Sequence, residues 1–386
     1  MKNWRTGKLV GFLGGSFAAA LGITHPPDLD FTRTMIDGGP GESCAFADIN
    51  GDGKLDVVSG DNWFEAPTWK KHRFRELPYV NFYVDSFSAL PMDVNGDGRV
   101  DVIDCGWFSK KLWWNENPGK SDALWKEHVI DEGHHVEFAF LVDLENSGKP
   151  RDVLPEYGDA DAPLAWYEPR DGGFVKHIVS PQSYGHGIGA GDVNHDGRTD
   201  ILTPKGWFEA PPDPRSGQWI FHPYPDLGTV GFIYVLDING DGRPDLITTR
   251  AHDYGFFWME QNADGTWKQH MIDDGWAGAH AMTMVDLNGD GQPDFITGKR
   301  FFAHNGHDPG EHDPLGIYWY EFVRSAGGQV DWVKHVIDYG SQAGGGMQIA
   351  VANLRGDGLL DFAVGGKSGL FLFERVRPTA AGVSKY

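Results

Sequence analysis

The chain has 386 residues, with 33 Lys+Arg against 55 Asp+Glu and a formal charge of −22. That acidity argues against binding a nucleic-acid backbone. A hydrophobic content of 40% excludes an intrinsically disordered chain, and two cysteines exclude both a disulfide scaffold and a four-cysteine metal centre.

Residues 1–30 differ from the rest. Lys2, Arg5 and Lys8 precede the apolar run LVGFLGGSFAAALGI, which carries small residues near its end. This pattern predicts a signal peptide, and hence a secreted or periplasmic protein; the alternative is a loosely packed N-terminal arm. The run is too short and Gly-rich for a transmembrane segment.

From Asp48 onward one pattern recurs, D-x-N-x-D-G-x-x-D. Complete copies start at Asp48, Asp93, Asp192, Asp237 and Asp286. Worn copies start at Asp143, with Glu145 and Ser147 substituted, and at Asn353, with Arg355 at the third position. The starts are 45, 50, 49, 45, 49 and 67 residues apart, a repeat of seven units. Each unit places an apolar stretch on either side of the loop. Then follow an aromatic strand, such as LWWNEN or IYWYEF, and often a Lys-His signature, such as WKQHMI. Short β-forming runs between Gly, Asp and Pro turns predict four strands per unit. The predicted fold is therefore all-β, a seven-bladed β-propeller of four-stranded blades spanning 31–376, followed by a tail at 377–386. The seventh unit lacks a fourth strand, and residues 31–36 match the missing one, so an N-terminal strand should complete the last blade and remove its free edges.

The Asp-rich loops suit structural calcium. Oxygens at positions 1, 3 and 5 face one side of a tight turn, Gly at 6 permits it, and a carbonyl at 7 with Asp at 9 completes a cage. The candidate ligands are Asp48, Asn50, Asp52, Asp56; Asp93, Asn95, Asp97, Asp101; Asp192, Asn194, Asp196, Asp200; Asp237, Asn239, Asp241, Asp245; and Asp286, Asn288, Asp290, Asp294. Five filled sites would change the charge from −22 to −12. A metal-free Asx-turn hairpin is the alternative, and suits the two worn loops better.

The opposite face should carry the chemistry, because its loops do not repeat. Loops entering the units supply His134, His135, Glu137, Tyr184, His186, Trp276 and His280. Loops between second and third strands supply Asp61, Asp104, Glu156, Tyr157, Asp159, Lys205, Arg250, His252 and Asp253. The insertion GKRFFAHNGHDPGEHDPLG at 298–316 adds Lys299, Arg300, His304, His307 and His312, and a long polar loop on a rigid rim is a functional candidate. His128, His177, His270 and His335 recur at one strand position and read as structural. His135, His186, His280 and His304 do not recur. With Glu137 they could bind zinc or another divalent ion, or act directly as acid and base. Metal ligation is expected of His135, His186 and His280. Lys205, Lys299 and Arg250 could stabilise an enolate or hold an acidic group. Cys44 and Cys105 occupy adjacent positions on this face, which would suit a disulfide in an exported protein.

The repeats resemble the FG-GAP/VCBS class of calcium-binding propellers over roughly residues 31–376. The pieces HHVEFAFLVDL, YGHGIGAGDVNHDG, WAGAHAMTMVDLNGDG and GKRFFAHNGHDP resemble, more narrowly, the propeller domain of aldos-2-ulose dehydratases. The resemblance implies a carbohydrate lyase that dehydrates keto sugars such as 1,5-anhydro-fructose. Its fungal form carries cupin domains after the propeller, and cupin-borne functions are not expected here. The implied chemistry is β-elimination, with His135 and His186 as acid–base or metal-binding groups, His280 and His304 as further site residues, and Glu137 as ligand or base. The expected partner is a sugar or glycan. A non-catalytic glycan-binding propeller and a structural interaction propeller are the competing readings, and oligomeric state is left open.

Overall fold

The structure is a computed structural model, described for residues 28–120, 124–325 and 327–377. The signal-peptide expectation for residues 1–30 falls almost wholly outside this range, as does most of the C-terminal tail. Among the described residues the regular elements are all strands, apart from one short 3-10 turn at Ala303–Gly306. Among the described residues no helix is long and apolar enough to cross a membrane.

The strands form five four-stranded sheets, one eight-stranded sheet and one two-stranded hairpin. The first four-stranded sheet shows the pattern: Ala45–Ala47, Asp56–Ser59, Asn62–Glu65 and Lys70–Arg73 pair antiparallel in chain order. Seven separate four-stranded sheets, as expected, are not found among the described residues. Units four and five share the eight-stranded sheet, because Ile188–Gly191 pairs parallel with Phe232–Leu236. Gly189 and Gly191 explain the close approach: a Cβ at either would collide with Ile233 or Val235. The arrangement is propeller-like. The last sheet lies beside both its predecessor and the first sheet, through the first strands of each.

Phe31–Asp37 pairs antiparallel with Gly369–Arg375, so the N-terminal strand does complete the last sheet. Its register runs from Phe31 opposite Arg375 to Asp37 opposite Leu370. Main-chain bonds from Gly41 N to Gly366 O at 3.1 Å and from Met347 N to Glu42 O at 2.6 Å continue that closure.

Two side-chain devices repeat. At the end of each Asp-rich turn a buried carboxylate accepts main-chain N–H groups. Asp101 accepts from Val94 N at 3.0 Å and Asn117 N at 2.8 Å, tying turn to third strand. Asp56, Asp200 and Asp245 do the same, and burial pushes the carboxyls of these four up to about 6. The second device lies on the third and fourth strands. Trp63, Trp114, Trp166, Trp207, Trp258 and Trp319 stack on His72, His128, His177, His222, His270 and His335 at 4.2–4.3 Å. A Glu two residues after each Trp meets the imidazole Nε2 at 2.7–3.0 Å. The recurring histidines are structural, as their spacing indicates, and His72 and His222 join them.

The disulfide that the two positions could have allowed is not formed. Cys44 and Cys105 are buried free thiols. Cys44 Sγ donates to Ala363 O at 3.3 Å, and Cys105 Sγ to Ser88 Oγ at 3.5 Å. The two thiols are thus held by different neighbours.

Asp101→Ala should cost about 2–4 kcal/mol in a denaturant melt, because two buried N–H groups lose their acceptor. Asp97→Ala, at an exposed loop position, should stay within about 0.5 kcal/mol when both are measured in chelator.

Candidate functional site

The ends of the inner strands opposite the Asp-rich turns bring together residues far apart in sequence. Glu137 is the second residue of the strand Val136–Val142, His186 precedes Ile188–Gly191, and His280 precedes Met282–Met284. His252 sits in the turn between Asp245–Thr249 and Tyr254–Gln261, and Arg300 follows Phe295–Gly298. Glu137, His186, His252 and His280 each offer a ligand atom, and these atoms lie within 4.8 Å of one another.

His186 Nε2 is 3.0 Å from Glu137 Oε2 and 3.0 Å from His252 Nε2. Its Nδ1 donates to Val230 O at 2.8 Å, which turns Nε2 toward the cluster. A Cβ on Gly187 would press on Val230, so only glycine lets the chain sit there. Arg300 lies behind the cluster, 1% exposed, with Nε donating to Glu42 Oε2 at 3.1 Å and Nη1 3.6 Å from Glu137 Oε1. His280 Nε2 faces Arg300 Nη1 at 3.3 Å, while its Nδ1 is buried without a hydrogen-bond partner.

These neighbours set the charges. Burial alone would raise the Glu137 carboxyl, but His186, His252 and Arg300 hold it well below the usual carboxylate range. Burial alone would lower His186, but Glu137, with Glu156 beyond it, raises it to about 9. His280 is pushed well down by burial and by the Arg300 charge. Burial pushes Glu156 up to about 8, and neither of its oxygens has a partner. One carboxylate with three imidazoles suits zinc or another borderline divalent ion. The facing nitrogens of His186 and His252, with one donor atom each from His280 and Glu137 close by, fit a cation held among them, and the His280 ring keeps one buried nitrogen without a partner.

A cavity of about 390 Å³ opens beside the cluster, lined by Glu137, Arg300, His304 and His307 on one side and Tyr83, Phe87, Trp107 and Phe108 on the other. Its rim includes Asn81, from the hairpin Tyr79–Val80 and Tyr83–Val84. A larger groove of about 560 Å³ lies by the Asp-rich turn of unit five, around Trp258, Glu260 and His270. Its Trp–His–Glu lining belongs to the repeat, so the smaller cavity is the functional candidate.

Glu137, His186 and His280 therefore converge as the sequence suggests. His304 stacks on His252 at 4.4 Å. His135 lies apart: its Nδ1 meets Asp159 Oδ1 at 2.8 Å and its ring packs on Trp107. Lys205 is exposed and outside the cluster. Lys299 is buried, donating to Ala277 O at 3.2 Å, and Arg250 lies over the Phe257 ring. His252 stands among many loop residues in the sequence, with nothing to rank it as a ligand. Glu42 and Asp308 were missed; the four-residue spacing of His304 and Asp308 was the available signal.

Residues 237–297 match the family described as FG-GAP-like repeat. No curated protein matches the chain. Among solved structures, BBS1N in complex with ARL6DN is similar at 12% identity and TM-score 0.52, covering 92% of this chain and 98% of that one. An Agrocybe aegerita lectin that recognises non-reducing terminal N-acetylglucosamine aligns at 18% identity and TM-score 0.45, covering 80% and 81%. The V. cholerae biofilm matrix protein Bap1 aligns at 11% identity and TM-score 0.43, covering 91% and 92%. The chain is thus an all-β protein of propeller-like arrangement that carries an FG-GAP-like repeat. Of these likenesses only that to BBS1N bears on the chain, and it speaks to fold alone.

The raised His186 has a stability consequence with a definite sign. Its folded value, about 9, exceeds the unfolded value near 6.5. The contribution is full below pH about 6.5 and is lost as pH rises toward about 9. Chelator-treated protein should lose roughly 1–3 kcal/mol of unfolding free energy across that window. Glu137→Gln should flatten the loss, as measured by urea melts at each pH.

Proposed function

We propose that this protein is a carbon–oxygen lyase of the keto-sugar dehydratase type, built on a seven-bladed propeller. In this reading the eight-stranded sheet counts as two blades, divided at its parallel pair. The observation that carries the function is the convergence of Glu137, His186, His252 and His280 beside an aromatic-walled cavity. The expected export of the protein rests on its basic-apolar N-terminal segment.

Glu137, His186, His252 and His280 would hold a divalent ion, with zinc the first candidate. Such an ion would act as a Lewis acid on a substrate carbonyl. Trp107 and Phe108 offer faces for a sugar ring. His304 lines the cavity, and its Nδ1 donates to Asp308 at 3.0 Å, which leaves Nε2 to take a proton. The reaction removes the hydrogen on the carbon next to the carbonyl and leaves that electron pair as an enolate. The enolate re-forms the carbonyl as the adjacent C–C double bond forms and the next carbon loses its hydroxyl. That hydroxyl leaves as water after receiving a proton. Arg300 places a permanent positive charge near the developing enolate oxygen. His135 has no part in this assignment, because Asp159 and Trp107 engage it elsewhere.

Metal-replete protein should dehydrate 2-keto or 3-keto sugars, read as growth of enone absorbance. His304→Ala should lower kcat about 10²–10⁴-fold with a smaller effect on KM. Inactivity across such a panel would sink the lyase reading. Binding without turnover would favour the glycan-binding alternative, which the aromatic wall also supports.

The Asp-rich loops are proposed as structural calcium sites. Asp48 Oδ1 already accepts from Gly51 N at 2.8 Å and Asp52 N at 3.0 Å, which orders the turn. In four complete loops the seventh residue reaches back to the fifth: Lys54 to Asp52, Arg99 to Asp97, Arg198 to Asp196 and Arg243 to Asp241. The fifth complete loop has Gln292 there, so no side-chain cation competes at Asp290. In the worn last loop Arg355 pairs with Asp361 at 2.9 Å. Calcium should raise the melting temperature of chelated protein, and Asp290→Ala should remove the tightest site in a calorimetric titration. Unchanged melting with calcium counts against the proposal.

A further inference from the structure

Asp308, in the insertion after Arg300, touches the cluster without belonging to its four donors. We infer that Asp308 is a positioning residue for the metal centre, its carboxylate fixing the His252 ring so that Nε2 faces Glu137 and His186. The inference rests on the reading of that cluster as a metal site and adds what the insertion does for it.

The geometry is specific. His252 Nδ1 donates to Asp308 Oδ2 at 2.8 Å. A neutral imidazole carries one N–H, so a carboxylate at Nδ1 leaves the lone pair at Nε2. That Nε2 is 3.0 Å from His186 Nε2 and 3.7 Å from Glu137 Oε1. The same carboxylate holds a second ring. His304 Nδ1 lies 3.0 Å from each Asp308 oxygen, and its ring is stacked on His252 with 16° between planes. One anion thereby orients one ligand and one cavity-lining imidazole. An acceptor behind a ligating histidine fixes its tautomer and raises its basicity. Val230 O performs that service for His186 with a neutral carbonyl; His252 receives a full charge.

The insertion is held so that Asp308 reaches inward. His304 N donates to Tyr83 Oη at 2.7 Å, and Lys367 Nζ donates to Phe302 O at 2.6 Å. Phe302, His304 and Asn305 adopt φ of 50°, 45° and 57°, a left-handed backbone that non-glycine residues rarely hold. Such strain persists where surrounding contacts over-determine it. Here the contacts include the Tyr83 and Lys367 bonds and the shared carboxylate.

The test is zinc affinity of the full chain, stripped with chelator and titrated against a chromophoric competitor. Asp308→Asn should weaken zinc about 10–100-fold. Asp308→Ala should weaken it at least as much, and Asp308→Glu should recover part of the loss. Metal-free melting temperatures of wild type and Asp308→Asn should agree within a few degrees, which separates positioning from general support. In metal-free wild type, nitrogen NMR should show His252 protonated at Nδ1 and not at Nε2; the opposite tautomer overturns the inference even if every variant misfolds. Zinc affinities of Asp308→Asn and Asp308→Ala within twofold of wild type overturn it while leaving the metal centre intact. Wild type that binds zinc no better than Glu137→Gln overturns the metal reading and this inference together.

Discussion

The structure depends on a buried carboxylate at the end of each Asp-rich turn. It accepts main-chain N–H groups from the turn and from the third strand in four units; Asp152 accepts from Leu144 N in the turn, and Asp294 and Asp361 accept from Phe322 N and Arg375 N of the third strand. A buried amide without an acceptor is costly, so this bond fixes where the chain reverses and which residue faces it. Strand register follows, because a one-residue slip would strand the donors and turn each apolar face outward. Asp56, Asp101, Asp200, Asp245 and Asp294 consequently have a structural task that does not require an ion, although the spacing nominates them as ligands. The exposed first, third and fifth oxygens remain the part of each loop suited to calcium.

The same economy of repeated parts separates the histidines into two populations. Six lie flat on a tryptophan of the neighbouring strand and meet a glutamate. They brace the outer strands of the first six units. His186, His252 and His280 instead converge where the first strands begin and the second strands end. There Glu137 is the shared anion, and Arg300 with Glu42 forms a second buried ion pair behind it. Burial of so many charges is tolerable only because each faces an opposite partner. Exceptions among the described residues include His280 Nδ1 and both Glu156 oxygens, which belong to the region where chemistry is proposed, and both Glu311 oxygens.

The sequence made much of this legible. The nine-residue repeat announces the strand grammar, and residues 31–36 announce the strand that completes the last sheet. Glu137, His186 and His280 stand out because they break the repeat. Other features were not legible. The sheet of units four and five is continuous because Gly189 and Gly191 let two first strands pair, an approach no local pattern signals. His135 looked equivalent to His186, yet Asp159 draws it away. Asp308 sat unremarked in a polar insertion until folding brought it to 2.8 Å from His252.

The sequence by itself determined what is local: turn, strand, apolar face and the periodic Trp–His–Glu stack, since each is set by residues within one unit. Only the tertiary structure decided which loop residues meet. Glu42, Glu137, His186, His252, His280 and Arg300 come from different stretches of a 386-residue chain. Their neighbourhood depends on how successive units pack about a common centre. The acidic total that opens the sequence therefore belongs mainly to the repeated turns, whereas the candidate chemistry belongs to one anion among three imidazoles.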